Sequence, residues 1–145
     1  MSSFFSLLNF LKKVFGVKRL YKKRTVSTKN TRAVVNDYLV KKRNAYHLVV
    51  ELIERVNKIY GFEYGTIAIR NQKTRWGSCS SQGNLNFNYR IVDLPPKLAE
   101  YIVVHELCHL KEMNHGPSFW KLVEQGMPDY RQVRSDLKNC GVRLG

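Results

Sequence analysis

The sequence predicts an α+β domain: a backing helix, a small three-stranded, mainly antiparallel sheet, a helix carrying two histidines one turn apart, and C-terminal helices. Three observations predict it. Val49, Leu52, Ile53, Val56, Ile59 and Tyr60 form an apolar stripe at helical spacing. Between Phe62 and Leu94 the hydrophobic period shifts toward two. After Pro95-Pro96, a helix-length segment holds His105 and His109, and two more segments bounded by proline and glycine follow it.

At 145 residues the chain has the length of one domain. A hydrophobic share of 43% is enough to build a core. No run of about 20 apolar residues occurs, so no transmembrane helix is expected. Cys79, Cys108 and Cys140 show no CxxC spacing, which argues against a disulfide scaffold or a zinc ribbon. The N-terminus is apolar before it is basic and lacks a small-residue cleavage site, unlike a signal peptide. A cytoplasmic protein is expected, peripheral to a membrane or to the nucleoid if its basic part binds there.

The net charge of +14 is unevenly spread. Residues 1–45 hold twelve Lys/Arg and one acid, Asp37, and so carry +11, whereas the remaining hundred residues carry +3. This divides the chain into an amphipathic, basic arm at 1–32 and a nearly neutral domain at 33–145. In the arm, Phe4, Leu8, Leu11 and Phe15 share one helical face, and the basic stretch from Lys18 to Arg32 reads as a linker or exposed tail. Residues 1–45 suit an anionic membrane surface or nucleic-acid phosphates. An ordinary amphipathic helix with a solvated basic flank gives the same pattern.

The elements follow in order. Residues 33–60 form one long helix or two abutting ones, stopped by Gly61. His47 beside the stripe reads as structural rather than as a ligand. Thr66–Arg70, Thr74–Ser78 and Leu85–Tyr89 are short strands, separated by turns at Asn71-Gln72-Lys73 and Ser80–Asn84. Trp76 packs this sheet on the next helix or marks a sheet edge beside a cleft. Pro95-Pro96 open that helix, since proline is tolerated in a first turn, and it runs to about Met113. Asn114-His115-Gly116 ends it. Pro117 opens a helix through Gln125, closed by Gly126, and Pro128 or Asp129 opens the last, which reaches Asn139.

His105-Glu106-Leu107-Cys108-His109 carries the chemistry. Residues four apart lie one turn above each other, so His105 and His109 can face one metal ion. Glu106 sits one step round the helix, within reach of a water on that ion. This is the HExxH arrangement of zinc hydrolases. Two histidines and a glutamate on an otherwise apolar helix would be costly without a partner, and a metal supplies one. A catalytic zinc takes three protein ligands and keeps a position for water. His115, Glu124 and Glu112 are the candidates for the third ligand. His115 is favoured, because imidazole is the commonest zinc ligand and its spacing matches a known HExxH extension. Where that extension has glycine this chain has Glu112, so Asn114 and Gly116 are expected to make the turn in left-handed backbone. Tyr130, Tyr89, Arg75 and Arg90 are candidate oxyanion donors. Met127 reads as core filling or as a turn beneath the metal, and Cys108 as a buried apolar residue.

Arg75-Trp76-Gly77-Ser78-Cys79-Ser80-Ser81, Gly83-Asn84-Leu85, Pro95-Pro96, Val104–His109 and Asn114-His115-Gly116-Pro117-Ser118-Phe119-Trp120 together make a pattern far more specific than HExxH alone. With it the chain resembles the YgjP-like metal-dependent hydrolases, relatives of the SprT-like zincin metallopeptidases. The resemblance spans roughly residues 66–137. It implies a compact zincin-like fold, one catalytic Zn2+ held by His105, His109 and His115, and Glu106 as the catalytic base. The N-terminal region departs from the family's pattern, being short, helical and basic where relatives carry a longer strand-rich portion.

The expected function is that of a zinc-dependent hydrolase, a metallopeptidase acting on protein or peptide, with Glu106 taking a proton from a zinc-activated water. Two alternatives stand beside it. One is a metal-dependent nucleotide hydrolase of the UTP pyrophosphatase kind, with Arg75, Arg90 and Lys73 available for phosphate. The other is a protease tethered to DNA or membrane by its arm.

Overall fold

Most of the apolar stripe becomes the buried face of a long helix, α1 (Thr28–Tyr60), the first described in a computed structural model that describes residues 28–139; Ile59 stays exposed. Ala45, Val49, Leu52, Ile53 and Val56 are buried along it. The helix starts five residues before the expected domain boundary, and the rest of the arm lies outside the described residues. Gly61 ends it with φ +64°, left-handed backbone that glycine adopts without steric cost. Its N–H donates to the Asn57 carbonyl at 2.7 Å. Asn57 then holds Phe62 through its amide side chain in both directions.

The three strands are β1 (Ile67–Arg70), β2 (Gly77–Cys79) and β3 (Leu85–Asn88), in sheet order β1-β3-β2. The sheet is mixed rather than mainly antiparallel. β2 and β3 form the expected antiparallel hairpin, Gly77 opposite Phe87, but β1 pairs with β3 in parallel, Ile67 opposite Leu85. The Asn71-Gln72-Lys73 segment is therefore not a tight hairpin turn. The chain between β1 and β2 crosses the end of β3, so β3 lies between them.

Asn88 holds that crossing. Its Nδ2 donates to the carbonyls of Gln72 at 2.7 Å and Arg75 at 3.1 Å, and its backbone N–H donates to Trp76 O at 2.7 Å. Its Oδ1 accepts from Arg90 N at 3.2 Å and caps a 3-10 helix, Tyr89–Asp93. Asn88 is 1% exposed, and these bonds offset the cost of burying its amide.

The second helix, α2 (Pro96–Cys108), is buried at Leu98, Ala99 and every position from Tyr101 to Cys108. A helix apolar nearly all round belongs inside a protein, and this one is packed by the sheet, by α3 (Pro117–Gly126) and by α4 (Tyr130–Asn139). Phe119 and Val123 of α3, and Tyr130, Val133 and Leu137 of α4, bury their apolar stripes. Trp76 is buried in this same core, as the packing alternative expected. Met127 and Cys108 are also core residues. No described helix is long and apolar enough to cross a membrane.

Candidate metal centre

α2 stops five residues short of the expected Met113, and that early stop builds the site. From His109 the chain tightens, with Leu110 N bonded to Leu107 O at 3.0 Å and Lys111 N to Cys108 O at 3.1 Å. These i to i+3 bonds wind the last turn more tightly than an α-helix. Gly116 N then donates to Asn114 O at 2.8 Å, and the chain turns back toward α2. Gly116 has φ −79°, so the expected left-handed backbone is not used at that position.

The reversal brings His115 onto His105 and His109. The Nε2 atoms of His105 and His109 are 3.2 Å apart, and those of His105 and His115 are 3.0 Å apart. Ligand atoms of all three lie within 4.8 Å of one another, and among the described residues no other group of His, Cys, Asp or Glu converges in this way. Glu124 instead points an oxygen at Arg131, 3.8 Å away. Glu112 offers its backbone carbonyl, which accepts from His109 Nδ1 at 3.0 Å. That bond places the proton on Nδ1 and leaves the His109 Nε2 lone pair facing inward. His47 is exposed and takes no part.

The donor set fits a zinc ion. Nitrogens about 2.0–2.1 Å from a tetrahedral zinc are about 3.3 Å apart, close to the observed separations. Three imidazole nitrogens meeting at contact distance, two of them on buried rings, call for a cation among them. Burial pushes the His105 pKa down to about 2, helped by His109, His115 and Arg134. Burial also lowers His109, and burial with the charges of His109 and Arg134 lowers His115. All three are thereby held in the neutral form that binds metal. Phe119 packs against all three rings at 4.5 to 4.9 Å and fixes them in place.

Glu106 is 1% exposed, and its Oε1 has no hydrogen-bond partner. Burial pushes its carboxyl up to about 8, with the Arg75 charge opposing the rise. A buried acceptor with nothing to accept from is suited to taking a proton from a small molecule beside it. β2 makes room for it: a Cβ on Gly77 would stand 2.5 Å from Glu106 Oε1.

Of the candidate oxyanion donors, Arg75 is exposed and its charge reaches Glu106. Tyr130 is buried, one ring beyond Trp120, with its hydroxyl 3.3 Å from Arg131 Nε. Tyr89 packs against Tyr38 of α1, and Arg90 stands over the Tyr89 ring at 5.2 Å. Sequence reasoning did not single out Arg134, which stands over the Trp120 ring at 4.5 Å and acts on His105 and His115. Its position beside the Tyr130, Val133 and Leu137 stripe was the one available signal.

A family profile described as YgjP-like, metallopeptidase domain matches residues 12–140. The match reaches well beyond residues 66–137, where the motifs lie, and includes most of the basic arm. Among solved structures, the metallopeptidase zymogen abylysin of Pyrococcus abyssi is 25% identical, with a TM-score of 0.61; the alignment covers 67% of this chain and 99% of abylysin. The metallopeptidase zymogen jannalysin of Methanocaldococcus jannaschii is 22% identical, with a TM-score of 0.53, 68% of this chain and 97% of its own covered; it shares the fold. No curated protein matches.

Proposed function

The chain belongs to the YgjP-like metallopeptidase family, and from that premise we propose that it is a zinc peptidase in which His105, His109 and His115 hold the ion and Glu106 is the general base. The observation that carries the assignment is the meeting of three imidazoles beside one buried, unpartnered carboxylate. Bound there, zinc would polarise the scissile carbonyl, lower the pKa of a water beside Glu106 and offset the desolvation of that carboxylate.

The protein's own groups supply the rest. Glu106 Oε1 takes the proton of the attacking water and returns it to the departing amine. Phe119 and the Glu112 carbonyl keep the imidazoles oriented. β2 is an edge strand whose outer side pairs with no strand among the described residues. A peptide laid along it in extended form would run past Glu106, which packs on Gly77 of the same strand. Arg75 is exposed and its charge reaches the carboxylate, which suits it to stabilise an oxyanion. The comparisons name metallopeptidases and do not favour nucleotide hydrolysis.

The test is cleavage of an unfolded protein by wild type and by Glu106→Gln, with zinc content measured on both and UTP offered in parallel. Peptide hydrolysis should fall by about 10²–10⁴-fold in the variant at unchanged zinc. Equal activity in the two proteins, or turnover of UTP alone, would overturn the reading.

A further inference from the structure

A cleft of about 290 Å³ lies beside the three histidines, lined by Trp120 of α3 and by Tyr130, Arg131, Arg134, Ser135 and Lys138 of α4. Its inner wall is one ring away from the metal centre. Trp120 stacks on His115 with centroids 5.7 Å apart and planes at 26°, and on Tyr130 at 5.5 Å and 11°. The indole N–H donates to His115 O at 3.0 Å, which fixes the ring. Two stacked aromatic rings and three basic side chains therefore wall a cleft next to the place where a peptide bond would be cut.

The charge in the cleft is only partly neutralised, by the Arg131–Glu124 ion pair. The lining has three basic side chains and no acid. Arg131 faces Glu124 at 3.8 Å, beyond hydrogen-bond distance, and no salt bridge reaches Arg134 or Lys138 among the described residues. Arg134 lies 4.5 Å above the Trp120 ring and Arg131 5.5 Å from the Tyr130 ring. A guanidinium stacked on an aromatic face keeps its in-plane N–H groups available to bind a planar anion in a forked manner. The volume is at the lower end of ligand pockets, sized for a side chain rather than a cofactor.

We propose that this cleft is a specificity subsite that receives an acidic side chain, Asp or Glu, of the peptide substrate close to the scissile bond. The proposal rests on the peptidase reading. Neighbouring Cα atoms are about 3.8 Å apart, so a residue one or two positions from the bond can reach past Trp120 while the bond sits at the histidines. Arg134 clamps the carboxylate, Lys138 adds charge, and Trp120 and Tyr130 wall the cleft.

The test uses the full chain loaded with zinc and a set of quenched fluorescent peptides that differ in one residue, Glu, Gln or Lys, at each position near the cut. At one position Glu should exceed Lys by about tenfold or more in kcat/KM, a ratio that shrinks as salt is raised. Arg134→Glu should reverse that ratio. Lys138→Glu should reduce it in the same direction by a smaller factor. A second readout needs no turnover. In Glu106→Gln protein, the Trp120 indole N–H resonance should move when the Glu peptide is added and stay in place with the Lys peptide. Flat charge profiles at every position with intact Glu106-dependent cleavage would sink the subsite and spare the peptidase. Loss of all cleavage with the resonance still responding to the Glu peptide would do the reverse. A resonance moved by UTP and by no peptide would overturn the subsite as a peptide site.

Discussion

Gly77 of β2 lies directly against Glu106 of α2: a side chain at position 77 would place its first carbon 2.5 Å from Oε1 and 2.7 Å from the carbon that carries the carboxyl group. The sheet and the catalytic helix are thus in contact at the proposed general base itself, and the contact is possible only because residue 77 has no Cβ. Gly77→Ala should push the Glu106 carboxylate out of line while leaving the histidines in place. Zinc content should stay at wild-type level, kcat should fall by about tenfold or more, and stability should drop by about 1–3 kcal/mol, the usual cost of overpacking. Metal analysis and steady-state kinetics on one preparation check all of this.

The third ligand can be separated from its rivals by affinity. His115 meets His105 at 3.0 Å, whereas Glu124 faces Arg131. His115→Ala should weaken zinc binding by about a hundredfold or more, since even a partner outside the coordination shell is worth about 10–100-fold. Glu124→Ala should leave it unchanged. Competition against a chelating dye measures both, and a zinc loss confined to Glu124→Ala would reassign the ligand.

Stability of the metal-free protein should depend on Glu106 in a definite direction. Its folded pKa is raised from 4.5 to about 8 by burial. The stability linked to it is fully present below about pH 4.5 and is lost as pH rises through about 8. The histidines act oppositely: their folded pKa values are lowered from 6.5, so their contribution is present above that value and lost toward acid. In chelated protein, the melting temperature of Glu106→Gln relative to wild type should therefore climb between pH 5 and pH 8 and level off above. Thermal denaturation across that range, with chelator present, shows whether the difference climbs or stays flat.

Asn88 bonds the crossing between β1 and β2 to the end of β3. Asn88→Ala leaves the carbonyls of Gln72 and Arg75 without those donors, at a cost of about 2–4 kcal/mol. Urea denaturation should show that loss. Because Arg75 and Gly77 flank the crossing, kcat should fall as well, and an unaltered kcat would separate the crossing from the site.

What could be read along the chain is what local spacing encodes. The α1 stripe, its stop at Gly61, the proline-opened helices and the one-turn separation of His105 and His109 depend on neighbours within a few residues, and the structure has each of them. The α+β class follows from the same signals. Other features depend on contacts between residues far apart in sequence. β1 pairs in parallel with β3, and Asn88 bonds the connection 13 to 16 residues upstream; no periodicity reports either. His115 rather than Glu124 joins the two helical histidines because α2 tightens at His109 and the chain turns back. Spacing alone determined that helices, three short strands and the HExxH turn form; only the tertiary structure decided where α2 ends and where β2 lies, which strand lies beside which, that His115 rather than Glu112 or Glu124 meets the two helical histidines, that Gly77 packs on Glu106, and that Trp120 and Arg134 stack beside His115. Backbone periodicity is set by short-range sterics and hydrogen bonding, whereas these juxtapositions are set by packing between segments that meet only when the core closes.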